Sequence, residues 1–504
     1  MTKNATLLAA IVSLAPAALA AQAPPALISV YVEYSTVKNT VKPQGAVRAT
    51  LDSLERLYAA ASRTGRTGEA RHLLAEALTI VNGHEWTDSA DFAASLRLRS
   101  DGQIVESQRP YTVRLQQYYA ARTLPSSPAV RAVIHKRGTG AQTADVAKAF
   151  PTFENVSRDL LDAPLTMQFD FHDVPDGNYT LVIDVLDSAR TIARQQMQLM
   201  LRRGIADHVA QLAAAAATAP AALKAELAFP ADRLRLVNEG TLPLTTFNPD
   251  ADLAAADSIA AAIKAGRDHF AGKTGDFRRH YVLTQANEVM QYRVYVPTTY
   301  NAQKPAPLVI ALHGLGATES SFFTSYGAKL PPLAESHGFI VAAPLGFRPD
   351  GFYGSTIGSR PSDRADVRKV QLSEADVLGV LAEMKKNYNI DPSRIYLMGH
   401  SMGAIGTWAI AAKYPDTWAA LGVFSGVADT ASATRIRSIP EFVVHGDADA
   451  TVNVSGSRNM VAALKAAHAD VTYTEVPGGS HMSVVEPNLA ALFDFFSQRA
   501  KPAK

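Results

Sequence analysis

The chain has 504 residues, more than one hydrophobic core ordinarily serves, so two or three domains are expected. Its 47% hydrophobic and 19% charged residues fall in the range of soluble globular proteins, and a net charge of +2 without a long Lys/Arg block argues against a nucleic-acid partner. The absence of cysteine excludes disulfides, thiolate metal sites and a cysteine nucleophile.

Residues 1–23 read as a secretory signal: Lys3 precedes an apolar stretch from Ala5 to Leu19, and small residues suited to cleavage follow at Ala20 and Ala23. Export without disulfides fits a bacterial periplasm or the cell exterior. Beyond this segment no stretch is apolar and long enough to span a bilayer, so the mature protein is expected to be soluble. Residues 24–90 form a helical hairpin region, with Leu51, Leu54 and Leu57, then Leu73, Leu74 and Leu78, at three- and four-residue spacing around an RTGRTG break.

Over residues 91–203 the pattern changes to short alternating runs with Pro, Asp and Gly punctuation, which predicts antiparallel strands beginning near Phe92. The clearest stretch is Pro164–Ser188. Leu165, Met167, Phe169 and Phe171 alternate before VPDGNY, and Leu181, Ile183 and Val185 alternate after it, the pattern of a hairpin. This region resembles the late strands of an immunoglobulin-like β-sandwich. Residues 204–276 are alanine-rich and predict a helical connector. From 277 to 504, buried strand patterns alternate with amphipathic helix patterns, which predicts an α/β domain whose mainly parallel sheet is covered by helices on both faces.

The chemistry concentrates in this last region. Gly399-His400-Ser401-Met402-Gly403 matches G-x-S-x-G between the strand RIYLM and the helix GAIGTWAIAAKY, the strand–turn–helix setting of a nucleophile elbow. A serine hydroxyl needs a base, and the base needs a carboxylate to fix its tautomer. Downstream, EFVVHGDADATV sets Asp447 and Asp449 just past a buried strand, and VPGGSHMSV sets His481 in a glycine-rich loop before the last helix. The order serine, acid, histidine is that of the α/β-hydrolase fold.

The stretches VIALHGLG, DPSRIYLMGHSMGAIGTWAIAAKYPDTWAALGVFSG, VVHGDADATV and GGSH resemble the α/β-hydrolase family, and within it secreted esterases grouped with feruloyl esterases, polyhydroxybutyrate depolymerases and predicted peptidases. The resemblance covers somewhat under half of the chain. It implies a serine carboxylic-ester hydrolase with Ser401, Asp449 and His481 as triad, since the acid of H-G-x-x-D-x-x-V falls at Asp449 rather than Asp447. It also implies an oxyanion hole from the Met402 N–H and an amide of the HGLG turn, at Leu315 or Gly316, with Leu315 favoured.

Between APLG and Ser373 lies a long glycine-, arginine- and aromatic-rich loop of the kind that walls a pocket. Phe347, Phe352 and Tyr353 are candidates to receive an acyl group there, and Arg348, Arg360 or Arg364 to contact a carboxylate or sugar hydroxyl. No H-E-x-x-H or comparable ligand set occurs among the 13 histidines, and HGLGATESS lacks a G-K-[ST] ending, so no metal, nucleotide or other cofactor is expected. The expected partner is a small-molecule or polymer-linked ester, plausible acyl groups being hydroxycinnamoyl or other short chains. A serine peptidase with the same triad, or a binding protein on a silent hydrolase fold, are the other readings. The oligomeric state is open.

Overall fold

The computed structural model describes residues 27–137, 145–358 and 364–502. The expected secretory segment, residues 1–23, lies outside these. The chain folds into two compact units, one comprising residues up to Thr218 together with Pro230–Asp257, the other Ala219–Phe229 together with Ser258 onward. The alanine-rich stretch forms helices Ile205–Thr218, Lys224–Asn238 and Pro249–Lys264, which are divided between the two units.

In the first unit the helices Gly45–Arg63 and Thr67–Val81 turn about the RTGRTG break, and a preceding helix, Leu27–Val41, joins them around Tyr34, Leu51, Leu54, Leu74, Ala77 and Val81. Leu57 shares their spacing but is 51% exposed and does not belong to that cluster. A further helix, Asp88–Ser95, is capped by the Thr87 side chain and delays the first strand to Leu96.

Among the described residues eight strands follow: β1 (Leu96–Ser100), β2 (Ile104–Val105), β3 (Tyr111–Gln117), β4 (Pro128–Lys136), β5 (Val146–Ala149), β6 (Leu165–Phe169), β7 (Gly177–Asp187) and β8 (Arg190–Leu201). They make two sheets, ordered β1-β3-β6 and β2-β8-β7-β4-β5. One core takes Val113, Leu115, Met167 and Phe169 from the first sheet and Ala132, Ile134, Leu181 and Ile183 from the second. The predicted hairpin across VPDGNY is therefore corrected. β6 pairs with β3, and β7 pairs with β4 and β8, so that segment crosses from one sheet to the other. Alternation showed which side chains face the core but not which strand supplies the hydrogen bonds.

The second unit is built on one eight-stranded sheet. Its strands are β9 (Gly275–Leu283), β10 (Glu288–Val296), β11 (Ala306–Leu312), β12 (Ile340–Pro344), β13 (Ile390–His400), β14 (Ala420–Phe424), β15 (Glu441–Gly446) and β16 (Val471–Val476). The order is β16-β15-β14-β13-β11-β12-β10-β9. From β12 to β16 all pairs are parallel, while β9 and β10 form a hairpin in which β10 pairs antiparallel with β12. Period-two alternation splits the strands between two cores. Leu308, Ile310 and Leu312 pack with Val380, Met384 and Trp408 on one face, and Val309 and Ala311 pack with Leu330, Phe493 and Phe496 on the other.

One polar contact ties the helix Met402–Lys413 to the sheet: Trp408 Nε1 donates to Glu441 Oε2 at 2.7 Å, inside the core. Burial raises the Glu441 carboxyl from 4.5 to about 8, only partly offset by this bond. The folded chain thus holds a proton that the unfolded chain releases between those values. Its stabilising contribution is complete below the unfolded value and is lost as pH rises through the folded one. Glu441→Gln keeps an acceptor for Trp408 and cannot ionise, so the fall in urea-unfolding free energy from about pH 5 to about pH 8 is expected to be shallower in this variant than in the wild type.

Candidate active site

Four turns at the carboxyl ends of parallel strands hold the sequence-selected residues, the edge of an open α/β sheet where ligands bind. Ser401 follows β13, Leu315 lies past β11, Asp449 past β15 and His481 past β16. Ser401 adopts φ 57°, ψ −119°, a backbone conformation that side chains rarely take. It is held by its own N–H to Phe424 O at 2.9 Å and by Ile405 N–H to its carbonyl at 3.0 Å.

The flanking glycines are required by close packing. A Cβ on Gly399 would lie 2.2 Å from Gly403 O, and one on Gly403 would lie 1.9 Å from Leu312 O. The first-strand turn also approaches the serine, since a Cβ on Gly314 would stand 3.5 Å from Ser401 Cβ.

Asp449 Oδ2 accepts from His481 Nδ1 at 2.7 Å, and its Oδ1 accepts from the amides of Thr451 and Val452 at 2.8 and 2.9 Å. Burial opposes the Asp449 charge, but the His481 bond and the two amides outweigh it and hold the carboxyl below its ordinary range. With Nδ1 donating to the carboxylate, His481 Nε2 is left as an acceptor, and the ring keeps 14% of its side-chain surface exposed. No hydrogen bond joins Ser401 Oγ to His481 among the described residues; in unliganded sites such contacts often form only with substrate.

Asp447 stands apart from this arrangement. It accepts from Gly478 N–H at 2.7 Å and braces the two loops. His445 is buried, with Nε2 donating to Val452 O at 3.0 Å and lying 3.2 Å from Asp449 Oδ2.

The HGLG turn distinguishes its two amides. Gly316 N–H donates to Pro349 O at 2.8 Å, whereas Leu315 N–H and Met402 N–H donate to no acceptor among the described residues. Met402 is the first residue of its helix, where an amide has no partner within the helix and anions are favoured.

The three aromatic pocket candidates are buried. Tyr353 has no exposure, its ring fills the space over Gly346 and Gly406, and its hydroxyl donates to His313 O. Phe347 and Phe352 are 6% and 9% exposed and belong to the same core. All three take positive φ, and Asp376, buried beneath them, accepts Phe347 N–H at 2.8 Å. The loop folds inward because its aromatic groups are worth more in the core than in water. Arg348 is engaged by Glu288 at 2.9 Å, while Arg360 and the Arg364 side chain lie outside the described residues. The large apolar groups exposed beside the site are instead Leu315 at 42% and Met482 at 53%, two positions without any periodic signal in the sequence.

Residues 297–498 match the model of the phospholipase/carboxylesterase family. Feruloyl esterase B of Neurospora crassa is 34% identical over 149 residues, 29% of this chain and 47% of the relative. Poly(3-hydroxyalkanoate) depolymerase C of Paucimonas lemoignei is 31% identical over 152 residues, 29% of this chain and 35% of that protein. The chain thus spans about half or less of the length of these curated relatives. Among solved structures, a thermostable esterase is similar with a TM-score of 0.40 and 17% identity, over 77% of this chain and 95% of its own. The sheet order and the family match give the C-terminal unit the α/β-hydrolase fold.

Proposed function

We propose that this chain is a secreted serine carboxylic-ester hydrolase that works through an acyl-enzyme. The observation that carries the reading is the 2.7 Å bond from His481 Nδ1 to Asp449 Oδ2, on loops gathered at the strand ends that also carry the strained Ser401. His481 Nε2 takes the Ser401 proton as the hydroxyl attacks the ester carbonyl. The tetrahedral oxyanion accepts hydrogen bonds from Met402 N–H and Leu315 N–H, amides that donate to no acceptor among the described residues. The imidazolium, held by Asp449, then protonates the leaving alcohol. Water repeats the sequence to release the acid.

The relatives named as feruloyl esterase and poly(3-hydroxyalkanoate) depolymerase support ester substrates, and hydroxycinnamoyl or other short acyl esters are the class we assign. Leu315 and Met482 are the apolar surface offered to that group. The N-terminal sandwich is read as a non-catalytic immunoglobulin-like module, and the first 23 residues as its export signal.

Hydrolysis of para-nitrophenyl acetate and methyl ferulate by the purified protein, together with stoichiometric labelling of Ser401 by a fluorophosphonate located by peptide mass spectrometry, is the expected result. Cleavage of peptide anilides without ester cleavage would move the assignment to a peptidase. Neither turnover nor labelling would leave a binding protein.

A further inference from the structure

His400, the residue before the nucleophile, is 2% exposed and both of its nitrogens are engaged. Its Nε2 lies 2.9 Å from His481 O, and its Nδ1 lies 3.0 Å from the Tyr326 hydroxyl. A carbonyl oxygen can only accept, so Nε2 carries the hydrogen. A neutral imidazole has one such hydrogen, so Nδ1 accepts from Tyr326. Burial, reinforced by the neighbouring His481, lowers His400 from 6.5 to about 4, and the ring stays neutral at ordinary pH.

The Tyr326 hydroxyl thereby selects the tautomer that donates to the backbone of His481. Ser425 Oγ donates to the same carbonyl at 3.3 Å, and the two imidazole rings stand 4.7 Å apart. The far end of this hydrogen-bond chain is closely packed. Tyr326 takes φ 52°, and the next residue, Gly327, packs so closely on Glu486 that a Cβ there would lie 2.3 Å from its carboxylate.

We infer that Tyr326 and His400 are positioning residues which hold the His481 loop by its backbone carbonyl, so that the imidazole is fixed from two sides, by Asp449 at the ring and by His400 at the main chain. The inference rests on the esterase reading for its catalytic meaning. The hydrogen-bond assignment stands on geometry alone. A loop carrying a general base must be held closely, because a misplacement of about 1 Å can cost about 10²-fold in rate.

The test compares His400→Leu, His400→Gln and Tyr326→Phe in the full-length protein. His400→Leu keeps the packing but has no donor. It is expected to lower kcat for para-nitrophenyl acetate by about 10²-fold with KM little changed. His400→Gln, whose amide nitrogen can reach the Nε2 position, is expected to recover most of that loss. Tyr326→Phe is expected to show a smaller fall, since the donor remains but its tautomer is no longer enforced. Wild-type activity in His400→Leu, or His400→Gln no better than His400→Leu, would overturn the positioning role.

Nitrogen NMR of histidine-labelled wild-type protein supplies an arm independent of turnover and of whether any variant folds. It is expected to show His400 protonated at Nε2 only, and protonation at Nδ1 would overturn the proposal. A wild-type protein without Ser401-dependent ester turnover but with the Nε2–H tautomer would count against the esterase reading and support the hydrogen-bond chain.

Discussion

Ser401→Ala is expected to lower kcat for ester hydrolysis by about 10⁶-fold relative to wild type, with the protein folded and KM changed little. The size follows from what the alanine removes. In the proposed mechanism no acyl-enzyme forms without the hydroxyl, and His481 and Asp449 lose the atom on which they would act as a unit, so their contributions disappear with it. Residual acceleration of about 10³–10⁴-fold over water is expected from the Met402 and Leu315 amides and substrate binding. Alanine at this position keeps the Cβ and relieves none of the packing that sets φ at 57°, so unfolding in urea is expected to stay near that of wild type. The decisive measurement is steady-state turnover of para-nitrophenyl acetate beside a wild-type control. Ester turnover undiminished in Ser401→Ala would end the acyl-enzyme mechanism.

Gly403→Ala has the opposite profile, a loss of stability that carries activity away with it. The added Cβ would sit 1.9 Å from Leu312 O and 2.8 Å from His313 O, and both are backbone atoms at the end of β11 in the middle of the sheet. A flexible side chain could rotate away from such a contact at a cost of about 1–3 kcal/mol. Here the helix must withdraw from the strand, and a loss of about 4 kcal/mol or more is expected. Gly478→Ala is the control. Its φ is +67° with nothing within 4 Å of the added Cβ, so only the backbone penalty of about 1–2 kcal/mol applies. Urea midpoints of the two variants against wild type distinguish contact from conformational strain. Equal destabilisation would contradict the packing account of the elbow.

Local readings succeeded where the physical constraint is itself local. The elbow around Ser401 could be read from the sequence because strand, small residues and helix are contiguous, and their mutual approach demands glycine at 399 and 403. The buried runs VIAL, IYLM and EFVV likewise mark strands covered on both faces. The β7–β8 hairpin was less visible. Its turn is Ser188-Ala189 with φ 49° and 66°, values that Asn-Gly would signal and that these residues do not.

The aromatic loop after β12 is ambiguous in the sequence for a related reason. Phe347, Phe352 and Tyr353 are hydrophobic whether they line a pocket or fill a core, and only the position of Gly406 and Asp376 decides the matter.

By itself the sequence determined the residue types, their order along the chain and the strand ends that carry Ser401, Asp449 and His481, because each of these depends on neighbours within a few positions. Tertiary structure alone decided which strands pair, which amide of the HGLG turn donates to another loop and which side chains meet the His481 carbonyl. Those depend on contacts between segments far apart in sequence, Gly316 with Pro349, Tyr326 with His400 and His400 with His481, whose separations carry no periodic signal.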